Sequence, residues 1–105
     1  MKIVIHVDEL GKIREARHNI ENLLLSEPEA RIVLLMNGEA IQGYLLPQVI
    51  KFMKEYSNIS YQACHHSMRN FHVRSKQLAE RVEVIDSGVI RLVELQEQGY
   101  SYIKS

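Results

Sequence analysis

"RIVLLMNGEAIQGYLLPQVIKFMKEYSNISYQA", residues 31–63, is the stretch on which the reading of the whole chain turns. Its first part, RIVLLM (31–36), is an aliphatic run too short for a helix and followed at once by turn residues, so it reads as a buried strand. NGEAIQGY (37–44) is turn-rich. Pro47 then suits the first turn of a helix carrying Leu46, Val49, Ile50 and Met53, which ends near Ser57-Asn58. ISYQA (59–63) returns as a strand. Strand, helical connection and strand make a βαβ unit, the building block of a parallel sheet.

The same alternation extends in both directions. On the N-terminal side, KIVIHV (2–7) is a β-branched run stopped by Asp8. Leu10, Ile13, Ala16, Ile20, Leu23 and Leu24 then recur at helical steps until Pro28 breaks the pattern. On the C-terminal side, residues 66–72 suit a short helix, and Ser75 suits the cap of another at 76–80. VEVI (82–85) is a fourth strand, and Ser87-Gly88 lead into a helix through Val89, Leu92, Val93 and Gln96. Gly99 is placed to end that helix, and YSYIK (100–104) is a fifth, alternating strand. The order βαβαβαβαβ predicts an α/β fold: a three-layer α/β/α domain with a five-stranded, mainly parallel sheet. The first four strands, as near-continuous apolar runs, are expected to be covered on both faces.

At 105 residues the chain has room for one domain, 1–105. Thirteen basic side chains balance thirteen acidic ones, so no global field draws it to nucleic acid or an anionic membrane. Its longest apolar runs, such as IVLLM (32–36), fall far short of a bilayer span, and the N-terminal residues lack the features of a signal peptide. One cysteine excludes an intrachain disulfide and fits a reducing cytoplasm, the expected location.

Parallel strands joined by right-handed crossovers bring all their C-terminal ends to one edge, where open α/β sheets bind ligands. The residues just past those ends are Asp8-Glu9, Asn37-Gly38-Glu39, Cys64-His65-His66-Ser67 and Asp86-Ser87-Gly88. A thiol reacts as the thiolate, and helix N-termini and neighbouring cations favour that form. Cys64 precedes an expected helix, and His65, His66, Arg69, Arg74 and Lys76 follow with no acidic residue before Glu80. Those features make Cys64 a candidate nucleophile whose pKa the basic, helix-start setting is expected to lower, with Arg69 contributing if it lies near the sulfur. The plainer alternative is a small buried hydrophobe at a strand end, with His65 and His66 as solvated helix-start residues and the basic run as a solvated face. Gly38 and Gly88 are expected to serve turn geometry. No CxxC or HxxxH spacing points to a metal, and no GxGxxG or P-loop to a nucleotide, so no cofactor is expected.

Four segments together resemble one known family: KIVIHVDE (2–9), MNGEAIQGYL (36–45), ACHHSMRNFHV (63–73) and VEVIDSGVIRLVELQEQGYSYIK (82–104). The chain resembles the small single-domain DsrE/DsrF-like proteins, often described as sulfur-relay proteins. That resemblance implies the three-layer α/β/α fold, assembly into homotrimers or hexamers, and sulfur carried as a persulfide on a cysteine after a central strand. Cys64 matches the thiol position. His65 and His66 stand where the family usually has other residues, so no role passes to them.

The expectation is thus a sulfur carrier or sulfurtransferase that takes sulfane sulfur on Cys64 and passes it between donor and acceptor proteins. Asn37, Gly38, His65, His66, Ser67, Arg69, Ser87 and Gly88 are its candidate binding residues. The alternative is a non-catalytic oligomeric binding module holding a small anion or metal at the same rim. In either case a homo-oligomer is expected, with the tyrosines of YSYIK and Tyr44 available for an interface.

Overall fold

Strands form at all five runs: β1 (Lys2–Val7), β2 (Arg31–Met36), β3 (Ser60–Cys64), β4 (Val82–Ile85) and β5 (Ser101–Lys104). The computed structural model describes all 105 residues. Every neighbouring pair is parallel, in the order β4-β3-β2-β1-β5. Four α-helices connect them: α1 (Ile13–Ser26), α2 (Pro47–Glu55), α3 (His65–Asn70) and α4 (Gly88–Glu97).

The strand order decides which face each helix covers. From β1 to β4 the chain always steps toward the same edge, and right-handed crossovers keep α1, α2 and α3 on one face. The return from β4 to the far edge reverses the direction and sends α4 to the other. The two layers are unequal. Twenty-one buried residues form the first core, including Ile5, Leu34 and Tyr61 of the sheet, Ile20 of α1 and Phe52 of α2. Only five form the second: Val4, Val33 and Leu35 under Leu92 and Leu95 of α4.

Three sequence expectations are corrected. β4 is an edge strand with Glu83 and Val84 exposed, so it is not covered on both faces. Residues 76–80 form no helix. A single 3-10 turn at Ser75–Gln77 is held by the Gln77 side chain accepting from the Arg74 N–H at 2.8 Å, and Leu78 and Ala79 then pack on the core as the chain enters β4. Tyr44 is no surface aromatic. Residues Gly38–Leu45 wind as a 3-10 helix that drives Tyr44 fully inside. There its hydroxyl donates toward the carbonyls of Leu34 (3.1 Å) and Gln62 (2.9 Å), tying this segment to β2 and β3. Burial pushes that phenol well above its ordinary pKa, so it stays a donor.

Candidate functional site

Adjacent strands whose outgoing chains turn to opposite faces leave a crevice between them, and in open α/β sheets ligands bind there. In this sheet the crevice lies between β3 and β4. β3 feeds α3 on the first face, and β4 feeds α4 on the second. Cys64 is the last residue of β3, paired in register with Ile85, the last of β4. The structure therefore puts the only cysteine at the switch point.

Two helices begin at its sulfur. Cys64 is itself the N-cap of α3, and the backbone N–H of Gly88, the first residue of α4, donates to Sγ at 3.3 Å. The residue is only 4% exposed. Burial by itself pushes the thiol up, but the polar hydrogens around it outweigh burial: the backbone N–H and hydroxyl of Ser67, then the backbone N–H of Gly88 and of His66. Of these, the Gly88 N–H has the geometry of a full hydrogen bond to Sγ. The net result is a thiol more acidic than usual. These donors, and not Arg69 or the other cations of the basic run, produce the lowering, which corrects the expectation for Arg69. Ser67 is itself held in place: its Oγ accepts the Gly38 N–H at 2.7 Å, leaving its proton for the sulfur.

The glycines serve different ends. Gly38 has φ +56, and a Cβ there would stand 3.0 Å from the Asp8 carbonyl oxygen, so its turn does require glycine. Gly88 lies outside the left-handed region, contrary to the turn role expected of it. A Cβ on Gly88 would stand 3.3 Å from Cβ and Nδ2 of Asn37 and 3.4 Å from Cβ of Cys64. Its missing side chain lets α4 press its N-terminus onto the cysteine. Ser87 is the N-cap of α4, its Oγ accepting from the Ile90 N–H at 3.3 Å.

Asn37 joins the site to His6, which sequence reasoning missed, and through it to Tyr102, which that reasoning had offered to an interface. Its Oδ1 lies 2.7 Å from Nε2 of His6, and Nδ1 of His6 lies 2.6 Å from the Tyr102 hydroxyl. His6 is buried, 8% exposed, among apolar β1 residues. The only signal in the sequence was a histidine inside an otherwise aliphatic strand.

The remaining candidates sit farther out. His65, His66 and Arg69 are carried on α3, with His65, His66 and Arg69 set apart from the buried Ser67 and Met68 of the same helix. His65 and Arg69, with His72 and Arg74, line an acid-free cleft beside α3. A second cleft on the β4–α4 side carries Glu83, Asp86 and Glu94 with Arg91. Cys64 lies at the strand end between these oppositely charged clefts and lines neither. No three His, Cys, Asp or Glu side chains converge as a set of metal ligands. No helix is long and apolar enough to cross a membrane.

Comparisons with known proteins agree with this architecture. A protein of unknown function from Methanobacterium thermoautotrophicum, MTH1491, superposes with a TM-score of 0.89 at 22% identity, covering 99% of this chain and 98% of that one. The YchN protein of E. coli superposes with a TM-score of 0.79 at 12% identity over the full length of both chains. At these identities the likeness establishes the fold alone. A search of curated proteins found no match. The model of the DsrE/DsrF-like family matches residues 11–105, which include the cysteine, both helix starts around it and every strand after the first. The chain belongs to the DsrE/DsrF-like family.

Proposed function

We propose that this protein is a sulfur-relay protein that accepts sulfane sulfur on Cys64 and passes it on as a persulfide. The observation that carries the reading is the set of donors at the sulfur: the start of α3, the start of α4 and the Ser67 hydroxyl all favour an anion at one buried atom. A structural cysteine needs no such arrangement. Membership of a family with sulfur-relay function supports the same chemistry.

The Cys64 thiolate attacks the outer sulfur of a donor persulfide, R–S–SH. The new Cys64 S–S bond forms as the donor's S–S bond breaks, and the electron pair leaves on R–S⁻. The S–H proton goes to solvent, giving Cys64–S–S⁻. Delivery is the same exchange in reverse, with an acceptor thiolate attacking the outer sulfur. Neither direction needs an oxidant, reductant or cofactor.

Donor and acceptor proteins would dock across the rim, where the oppositely charged clefts offer two distinct footholds. A homo-oligomer belongs to the same proposal. α4 carries apolar side chains on two sides: Leu92 and Leu95 face the sheet, while Val89, Ile90 and Val93 are 67%, 61% and 52% exposed. Such a helix belongs against a second surface, here another copy of the chain.

The test is intact-mass analysis after incubation with inorganic polysulfide. The expected result is an added mass of about 32 Da, one sulfur atom, that dithiothreitol removes and that Cys64→Ser never acquires. An unmodified wild-type chain, or equal labelling of Cys64→Ser, would overturn the proposal.

A further inference from the structure

Cys64 has its donors, and one further donor nearby has no acceptor. An amide oxygen can only accept, so the 2.7 Å contact between Asn37 Oδ1 and His6 Nε2 puts the proton on Nε2. Nδ1 of the neutral ring then accepts the Tyr102 hydroxyl proton across 2.6 Å. The Asn37 oxygen thus sets the tautomer of His6, the Tyr102 hydroxyl completes it by donating to Nδ1, and His6 in turn holds the orientation of the Asn37 amide. Two further contacts fix β5 beside His6. The Ser105 N–H donates to the His6 carbonyl at 2.9 Å, and Lys104 Nζ lies 2.9 Å from Asp8 Oδ1.

With Oδ1 engaged, the Asn37 amide turns Nδ2 toward α4. Nδ2 donates to no group of the chain, and it stands 3.3 Å from the point a Cβ on Gly88 would occupy. That same point is 3.4 Å from Cys64 Cβ, so Asn37 and Cys64 flank the one bare glycine. The thiolate is already served by Ser67, Gly88 and His66. The outer sulfur of a persulfide lies one S–S bond farther out, about 2 Å beyond Sγ.

We propose that Asn37 Nδ2 is the hydrogen-bond donor to the outer sulfur of the Cys64 persulfide, and that His6, backed by Tyr102, is the positioning residue that holds it there. The proposal rests on the persulfide reading of Cys64. Sulfane sulfur enters by attack of Cys64–S⁻ on R–S–SH, with release of R–S⁻ and loss of the proton to solvent. Asn37 then stabilises the anionic outer sulfur of Cys64–S–S⁻ and leaves the thiolate itself unchanged. It favours the loaded protein over the empty one.

The experiment is an exchange equilibrium between the protein and a glutathione persulfide/glutathione pair, read by intact mass, beside the rate of iodoacetamide alkylation of the unloaded thiol. Asn37→Leu and His6→Leu are each expected to lower the loaded fraction relative to empty by about tenfold, the loss of one charge-assisted hydrogen bond, with alkylation of the empty thiol unchanged. The double variant should fall no further than either single one, because the two residues act through one amide. His6→Gln, whose amide N–H can replace Nε2–H, should restore loading. Tyr102→Phe, at a 41% exposed position on an edge strand where the fold tolerates the change, should lower loading several-fold through loss of the neutral hydrogen bond behind His6. Wild-type loading that Asn37→Leu, His6→Leu and Tyr102→Phe leave unaltered overturns this proposal alone. Alkylation rates that fall in step with loading overturn it too, because Asn37 would then act on the thiolate. A wild-type protein that does not load at all overturns the persulfide reading and this proposal with it.

Discussion

At the scale of single residues, Cys64 is governed by donors, and that makes its behaviour separable from the basic surface beside it. Iodoacetamide alkylation should titrate below the free-thiol value of about 8.5. Ser67→Ala, which removes a hydroxyl donor held in place by Gly38, should move the midpoint up by about one pH unit, whereas Arg69→Glu should leave it in place. The same donors link stability to pH. The folded thiol is the stronger acid, so between its pKa and about 8.5 the unfolded chain binds more protons. Stability should therefore rise with pH across that window and level off above it; Cys64→Ala should lack this rise in urea titrations at stepped pH. Much of this was legible in advance. Cys64 at a strand end before a helix is a local pattern, and its placement followed from the alternation of strands and helices. His6 was not legible, because its partners lie 31 and 96 residues away and only the strand order brings them together.

At the scale of elements, the site depends on α4 starting where it does. Gly88→Ala would put a methyl group against Asn37 and Cys64 at 3.3–3.4 Å, where both neighbours must give way. The expected cost is about 1 kcal/mol of stability, together with slower alkylation of Cys64 as the N–H is pushed off the sulfur. Ser87→Ala removes the α4 cap and should cost about 1 kcal/mol by denaturant unfolding, with a smaller effect on the thiol. Both glycines at the rim were visible in the sequence, but only Gly38 has the turn conformation glycine suggests. A close approach between elements leaves no local signature, so the reason for Gly88 had to come from the packing. The 76–80 segment failed for a related reason: its helical residues are overruled by the need to place Leu78 and Ala79 on the core before β4.

At the scale of the molecule, strand order explains both the site and the surface left over. Reversal after β4 creates the crevice at Cys64 and leaves α4 alone on one face, with Val89, Ile90 and Val93 turned outward. Sedimentation equilibrium at micromolar concentration should find an assembly larger than one chain, and Val89→Glu with Val93→Glu should return it to monomers; a wild-type monomer would remove the oligomer from the proposal. The alternating pattern predicted the sheet and its parallel sense, yet not this asymmetry, since periodicity identifies elements without ordering the strands. Tyr44 shows the same limit from the other side, an aromatic in a turn-rich stretch that proved to be the plug between β2 and β3. The central claim remains that Cys64 carries sulfur in transferable form, and cyanolysis tests it most directly. Cyanide removes only sulfane sulfur, so protein loaded with polysulfide and freed of excess reagent should yield about one equivalent of thiocyanate per chain and Cys64→Ser none. Equal thiocyanate from both proteins, or none from the wild type, would contradict the account.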